Sequence, residues 1–466
     1  NLATCRYKGE HCYIFVEESQ WDIIAAQPDV DKLGTLFEES TPADPERGIY
    51  DLAVEAFGAA TDADGDTRVF ILLLDIPDER VVGYFDRTVY NHVQKELRRD
   101  TVYLDARKLV FEAYLGRGTL AHEFQHLIHW GHDEDEEAWI DEGLSGYAEA
   151  LTGYPETDPS MVPSFLANTG RDLTLWPFPV GPESYGKTYL FASFLAEHYG
   201  SGLIRQIVAE PRNGIFGIDE AFKSENWVQD YAGAWSLWIA ANYAADDPVF
   251  GYGALRGRRA FASPVPNVPF GPIEGKVASQ WGTTNVIIRA EGRRENIAVD
   301  FAGAVEGRYA VWVYAMRGMS GEMIEMELDA ANAGQIQAAG VDSLAIIIGR
   351  TSRVGENFTL AAQPYIVPTA VAVGADGGGN TNAFDPIYPN PFNSSVVLPF
   401  RLGRAAEVEL AIYNALGQRE ALLVAEQLSA GKHRARWDGQ RAASGAYLAV
   451  LKVDGEIRMR RLTLVK

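Results

Sequence analysis

Cysteine is nearly absent: the 466-residue chain has two, Cys5 and Cys12. With six residues between them, they have the spacing to close one small disulfide loop in an oxidising compartment, or else they are two free thiols. Positive charge is also short. Lys and Arg number 41 against 64 Asp and Glu, and the net charge of −23 argues against nucleic acid or an anionic membrane surface as the main partner. Long apolar runs are missing too, since the longest, Val69 to Ile76, is interrupted by Asp75 and falls far short of the roughly 20 residues a membrane helix needs. No membrane span is expected. There is no internal repeat of fixed period. The sequence starts at Asn1 rather than Met, and the expectation is that a targeting segment preceded it.

What is present is the composition of a folded protein. Apolar residues make up 47%, charged residues 23% and aromatic residues 11%, enough to fill several cores. Up to about residue 260, helical and strand periods mix. Val69–Asp75 and Thr101–Asp105 read as short buried strands, and Gly118–Gly131, Ala138–Leu151 and Tyr185–Tyr199 read as helices. This predicts an α+β domain over 1–262, which also holds seven of the eight His. Alternating strands follow, including Asn285–Arg289, Asn296–Asp300, Tyr309–Tyr314 and Leu344–Ile348, and predict an all-β sandwich over 263–370. A Gly-rich linker is expected over 371–383. The remaining module, 384–466, carries 12 Lys and Arg against 8 Asp and Glu, so its charge is +4 where the rest of the chain has −27.

His122-Glu123-Phe124-Gln125-His126 has the form H-E-x-x-H in a helical context. On a helix His122 and His126 project from one face, where both imidazoles reach one zinc ion with Glu123 beside them. Glu123 would take a proton from a metal-bound water as it attacks a carbonyl and deliver it to the leaving amine. A chance occurrence of the pattern on a surface helix is the plain alternative, and a third ligand decides. Two candidates lie downstream. Glu142, within Trp139-Ile-Asp-Glu-Gly-Leu-Ser-Gly-Tyr-Ala-Glu149, would face the first helix from a second one. His132 stands where a metzincin places its third His, but that pattern needs a Gly where this chain has His129. A catalytic site also keeps one position open for water, whereas a structural site is closed by a fourth protein ligand.

Ala121-His-Glu-Phe-Gln-His-Leu-Ile-His129 followed by Trp139–Glu149 resembles the gluzincin metallopeptidases, above all the hyicolysin-like family of secreted bacterial enzymes. The resemblance reaches less specifically through Cys12–Val16, Gly48–Tyr50, Asp62–Asp66 and Gly83–Phe85, about the first 200 residues. It implies a zincin-like fold, zinc bound by His122, His126 and Glu142, and Glu123 as the base. Gluzincins also tend to supply a Tyr or His to the oxyanion, which here points to Tyr185, with a core aromatic as the alternative. Asp141 and Glu149 are candidates to orient the ligand imidazoles, or Glu149 is a solvated helix residue. His129 is expected to pack with Trp130 and Trp139. Asp62, Asp64 and Asp66 concentrate carboxylates in one turn and would suit Ca2+, but the Gly and Glu of an EF-hand loop are not in place, so a plain acidic turn before the strand at Val69 is the favoured reading and Ca2+ the alternative.

The module from Tyr388-Pro-Asn-Pro-Phe-Asn393 through Val408–Gly417, Gly431–Gly439 and Ser444–Leu448 resembles the C-terminal sorting domain of type IX secretion and the immunoglobulin-like module of hook-capping proteins. That implies export across an outer membrane, contact with the secretion machinery and a place at the cell surface or outside it. The combined expectation is a secreted zinc metallopeptidase, an endopeptidase acting on protein or peptide substrates. The alternative is a non-catalytic surface-binding or structural protein with a zincin-like domain.

Overall fold

The computed structural model describes residues 2–365 and 383–465, apart from 61, 228, 246, 248, 249, 291–293 and 319 in the first stretch and 385, 386, 388, 389, 391, 394, 415–418, 440, 441, 454 and 455 in the second. The chain is multidomain, with a helical and sheet-bearing N-terminal part followed by all-β regions. The expected linker at 371–383 lies outside the described residues except for Ala383, which begins a two-residue strand.

The N-terminal sheet contains β1 (Ala3–Lys8), β2 (Cys12–Glu17), β3 (Val69–Leu74), β4 (Gly83–Phe85) and β5 (Thr101–Asp105), in the order β1-β2-β3-β5-β4. β2, β3 and β5 run parallel, while β4 is an antiparallel edge strand on β5. Period-two alternation turns Val69, Ile71 and Leu73 into the core. The hairpin register overturns the expected disulfide. Cys5 stands opposite Phe15, three positions along β2 from Cys12, about 10 Å at roughly 3.3 Å per residue, too far for the bond. Both thiols are free, Cys12 buried and Cys5 exposed.

The helices are α1 (Gln27–Glu38), α2 (Ile49–Phe57), α3 (Arg87–Tyr90), α4 (Ala106–Phe111), α5 (Ala113–His132), α6 (Ala138–Leu151), α7 (Met161–Ala167), α8 (Pro182–Ala209), α9 (Gly214–Ser224) and α10 (Tyr231–Ala241). Leu120, Phe124, Leu127 and Ile128 recur at helical spacing and bury α5. α6 crosses α8 closely: a Cβ on Gly143 would lie 2.9 Å from the Thr188 carbonyl oxygen. The helix read as ending at Tyr199 continues to Ala209 across a break at Gly200, where φ is +85°, a conformation glycine takes without strain. Among the described residues no helix is long and apolar enough to cross a membrane.

The middle region forms two sheets. One orders strands Ser320–Glu325, Tyr309–Arg317, Ser343–Arg350, Gly282–Arg289 and Ser263–Pro264; the other orders Ala333–Val341, Glu295–Gly303, Asn357–Pro364 and Phe270–Lys276. The unbroken apolar run Leu344–Ile348 is buried on both faces. Leu344, Ile346 and Ile348 fill the core between the sheets, whereas Ala345 and Ile347 belong to the N-terminal core. Trp312 joins them there and donates from Nε1 to Ser236 Oγ of α10 at 3.0 Å. One face of this sheet is thus a continuation of the N-terminal core.

The C-terminal region has a three-stranded sheet, Ala383–Phe384, Ser395–Leu402 and Gly431–Asp438, and a four-stranded sheet ordered Arg419–Leu428, Ala406–Asn414, Gly445–Val453 and Glu456–Leu464. Phe392, Phe400 and Trp437 anchor its separate core.

Candidate metal centre

α5 carries His122 and His126 one turn apart, with ring centroids 4.8 Å apart. The chain reverses through Asp133–Glu137, and α6 brings Glu142 to the same place: its Oε2 lies 3.4 Å from His122 Nε2 and 3.9 Å from His126 Nε2. One donor atom from each of the three lies within 4.8 Å of the others. The far sides of both rings are engaged. His122 Nδ1 is 2.7 Å from Glu149 Oε1, and Glu149 Oε2 accepts the Thr157 hydroxyl at 2.7 Å. His126 Nδ1 is 3.0 Å from Asp141 Oδ1 and 3.1 Å from Ser145 Oγ, whose hydroxyl donates to Gln125. An imidazole that donates from Nδ1 to a carboxylate leaves its Nε2 lone pair free for a metal. Two such nitrogens and one carboxylate oxygen form a donor set that fits zinc.

The charges point the same way. Burial alone would lower both imidazoles, yet hydrogen bonds with Glu142 and Glu149 hold His122 well above its ordinary value, and the Asp141 carboxylate brings His126 up to about 9. Burial would raise Asp141, but the charges of His126 and His129 and its hydrogen bonds to both rings hold it well below its usual range. The surrounding carboxylates thus draw positive charge onto this spot, a demand that a divalent cation meets.

Glu123, 7% exposed, lies beside the rings and accepts the backbone N–H of Phe85 from β4. Burial raises its carboxyl, opposed by the charges of His122 and His126. Tyr185, at the start of α8, packs edge-on to Trp176 at 5.1 Å and is pushed up to about 12 by burial and then by the charges of Glu142 and Glu123. Glu123, His122, His126, Glu142 and Tyr185 all line one cleft of about 1200 Å³.

The rival ligand goes elsewhere. His132 Nε2 lies 2.9 Å from the Ala59 carbonyl oxygen. His129 is buried as expected, and its Nδ1 also meets Asp141 Oδ1, at 3.1 Å. The acidic turn differs from the alternative calcium set of Asp62, Asp64 and Asp66. Asp62 and Asp64 gather with Asp100, while Asp66 turns to Arg68 at 2.8 Å and the Tyr13 hydroxyl at 3.1 Å. Asp100, from the loop before β5, was not anticipated; it is buried and accepts the Ala63 N–H. Ser145, Thr157 and the Phe85 N–H were also missed. The first two lie within or just after the second motif, but nothing in the sequence distinguishes them from other helix and loop hydroxyls.

Residues 386–465 match the family described as the secretion system C-terminal sorting domain. The chain therefore carries a sorting module that engages secretion machinery, and it is a protein of the outer cell surface or the extracellular space. Over 251 residues it is 23% identical to the neutral metalloprotease ShpI of Staphylococcus hyicus, covering 47% of this chain and 53% of that protein. The chain thus spans about half the length of this curated relative, a distant likeness to a metallopeptidase. Among solved structures, the pre-peptidase C-terminal domain of a Bacillus anthracis collagenase matches with 9% identity and a TM-score of 0.19, covering 23% of this chain and 100% of that one. Dimeric latent PorU of Porphyromonas gingivalis matches with 14% identity and a TM-score of 0.17, covering 39% and 20%. Scores this low do not bear on the fold.

Proposed function

We propose that the chain is a secreted zinc-dependent metallopeptidase, an endopeptidase of gluzincin type with a zincin-like domain over 1–262, a β-sandwich over 263–370 and the sorting module over 384–466. The observation that carries this reading is the convergence of His122 Nε2, His126 Nε2 and a Glu142 carboxylate oxygen on one point in an open cleft, with Glu123 alongside. Zinc held by these three supplies Lewis acidity toward a peptide carbonyl and acidifies water. The Glu123 carboxylate accepts the proton of the attacking water and passes it to the departing amine. The Tyr185 hydroxyl, protonated throughout the neutral range, donates a hydrogen bond to the oxygen that gains charge. β4, an edge strand that lines the cleft, offers backbone groups to an extended peptide.

A purely structural zinc would be closed by a fourth protein ligand. Among the described residues the cluster has three, and His132 is held at Ala59, which favours the catalytic reading over a non-catalytic surface protein. The test is hydrolysis of casein by the purified chain and by Glu123→Gln, with zinc measured in both. Activity in the parent alone, with zinc in both, is the expected result. Zinc in both with activity in neither, once a latent precursor is ruled out, rejects it.

A further inference from the structure

The cleft is charged on one side in a way the metal does not require. Its wall includes the run Asp133-Glu134-Asp135-Glu136, at the turn between α5 and α6. Among the described residues, none of the four forms an ion pair with Lys or Arg. The two Arg of the same cleft are placed otherwise: Arg80 pairs with Asp78 at 2.7 Å, and Arg87 lies over the Trp130 ring at 5.4 Å. Asp133 is 7% exposed, and its Oδ2 is buried with no hydrogen-bond partner. Glu136 Oε2 is likewise buried and without a partner, although its Oε1 accepts the Gly214 N–H at 2.8 Å. Burial raises the Asp133 carboxyl and brings Glu136 up to about 7. Asp135 crowds Asp133 further, by its charge and by a shared hydrogen bond. Asp133 Oδ1 accepts the Asp135 N–H at 3.4 Å, so each carboxylate keeps one oxygen without a donor, and the charge of His129 offsets only part of the cost. Such oxygens are costly until a cation reaches them.

We infer that this run is a subsite for the Lys or Arg side chain of a substrate polypeptide, so that cleavage favours a basic residue close to the scissile bond. The inference rests on the metallopeptidase reading and adds the substrate class to it. A second metal ion fits these residues less well, because among the described residues they do not bring three ligand atoms within 4.8 Å of one another. A long, flexible side chain with several donors spans such a strip, and its charge complements that of the wall.

The test uses the zinc-loaded full chain and peptides that differ at one position, with Lys, Arg, norleucine or Glu placed in turn at each site flanking the cleaved bond. At one position Lys and Arg are expected to exceed norleucine by about tenfold in kcat/KM, with Glu the poorest and the ratio falling as salt rises. Glu134→Gln/Asp135→Asn changes two exposed side chains, and the Gln amide oxygen can still accept from the Asn91 Nδ2 that now bonds Glu134 at 2.9 Å; the pair should bring the ratio toward one. Asp133→Asn/Glu136→Gln should do the same with near-isosteric replacements. Cleavage with no preference for Lys at any position, or a preference that survives both double variants, overturns the subsite and leaves the peptidase reading standing. Hydrolysis of neither casein nor any peptide overturns both.

Discussion

His122 Nδ1 and Glu149 Oε1 lie 2.7 Å apart. Glu142 and Glu149 are two turns apart on α6, so the same helix face addresses one imidazole from both sides: Glu142 reaches its Nε2 and Glu149 its Nδ1. Thr157 in turn holds the outer oxygen of Glu149. If Glu149 fixes the tautomer and ring direction, Glu149→Ala should lower zinc affinity about 10- to 100-fold. Competition against a chelator measures this, and an unchanged affinity would remove Glu149 from the site.

The same assay separates the two candidates for third ligand. Glu142→Ala takes away a carboxylate 3.4 Å from His122 Nε2, whereas His132→Ala takes away a ring that bonds the Ala59 carbonyl. Zinc retention should drop sharply in the first variant and hold in the second. The opposite order would move the third ligand to His132.

Patterns of short range were readable from the sequence, and contacts of long range were not. Val69–Leu74 and Ala138–Leu151 announce themselves by periodicity, and the spacing of His122, Glu123, His126 and Glu142 already places them on two facing helices. Spacing could not reveal the hairpin register that keeps Cys5 from Cys12. Nor could it show that Asp100 joins Asp62 and Asp64 while Asp66 is drawn away by Arg68. The Phe85 N–H reaches Glu123 from an edge strand far from the motif, and a backbone donor leaves no mark on residue identity. The double burial of Leu344–Ile348 was hidden for another reason: an unbroken apolar run says that both faces are covered but not by what.

Gly186 tests the packing that seats Tyr185. A Cβ there would lie 2.2 Å from the carbonyl oxygen of Met161, a backbone atom that cannot swing aside like a side-chain end. Gly186→Ala is therefore expected to destabilise the fold by about 1–3 kcal/mol, seen as a lower Tm. An unchanged Tm would mean that α7 and α8 separate freely at this point.

The sharpest pH prediction concerns His198 on α8, whose ring lies tilted against Phe194 with centroids 4.2 Å apart and whose Nε2 has no hydrogen-bond partner among the described residues. Burial lowers its pKa to about 4, against weaker raising by the backbone of Phe250 and Gly251. The unfolded chain takes up this proton near the ordinary value of about 6.5, before the folded one does. Stability contributed by the neutral ring is therefore complete above about 6.5 and is lost as pH falls toward about 4, by roughly 3 kcal/mol in all. Asp100 works in the opposite sense throughout that window, since burial brings it up to about 7 and its protonation favours the folded state as pH falls. The total pH curve mixes the two, so the quantity to measure is the unfolding free energy of the parent minus that of His198→Gln from pH 7 to pH 4. Asp100 and every other shared group cancel in that difference. It should decline steadily with acid, and a flat difference would show that His198 is protonated as readily in the folded chain as in the unfolded one.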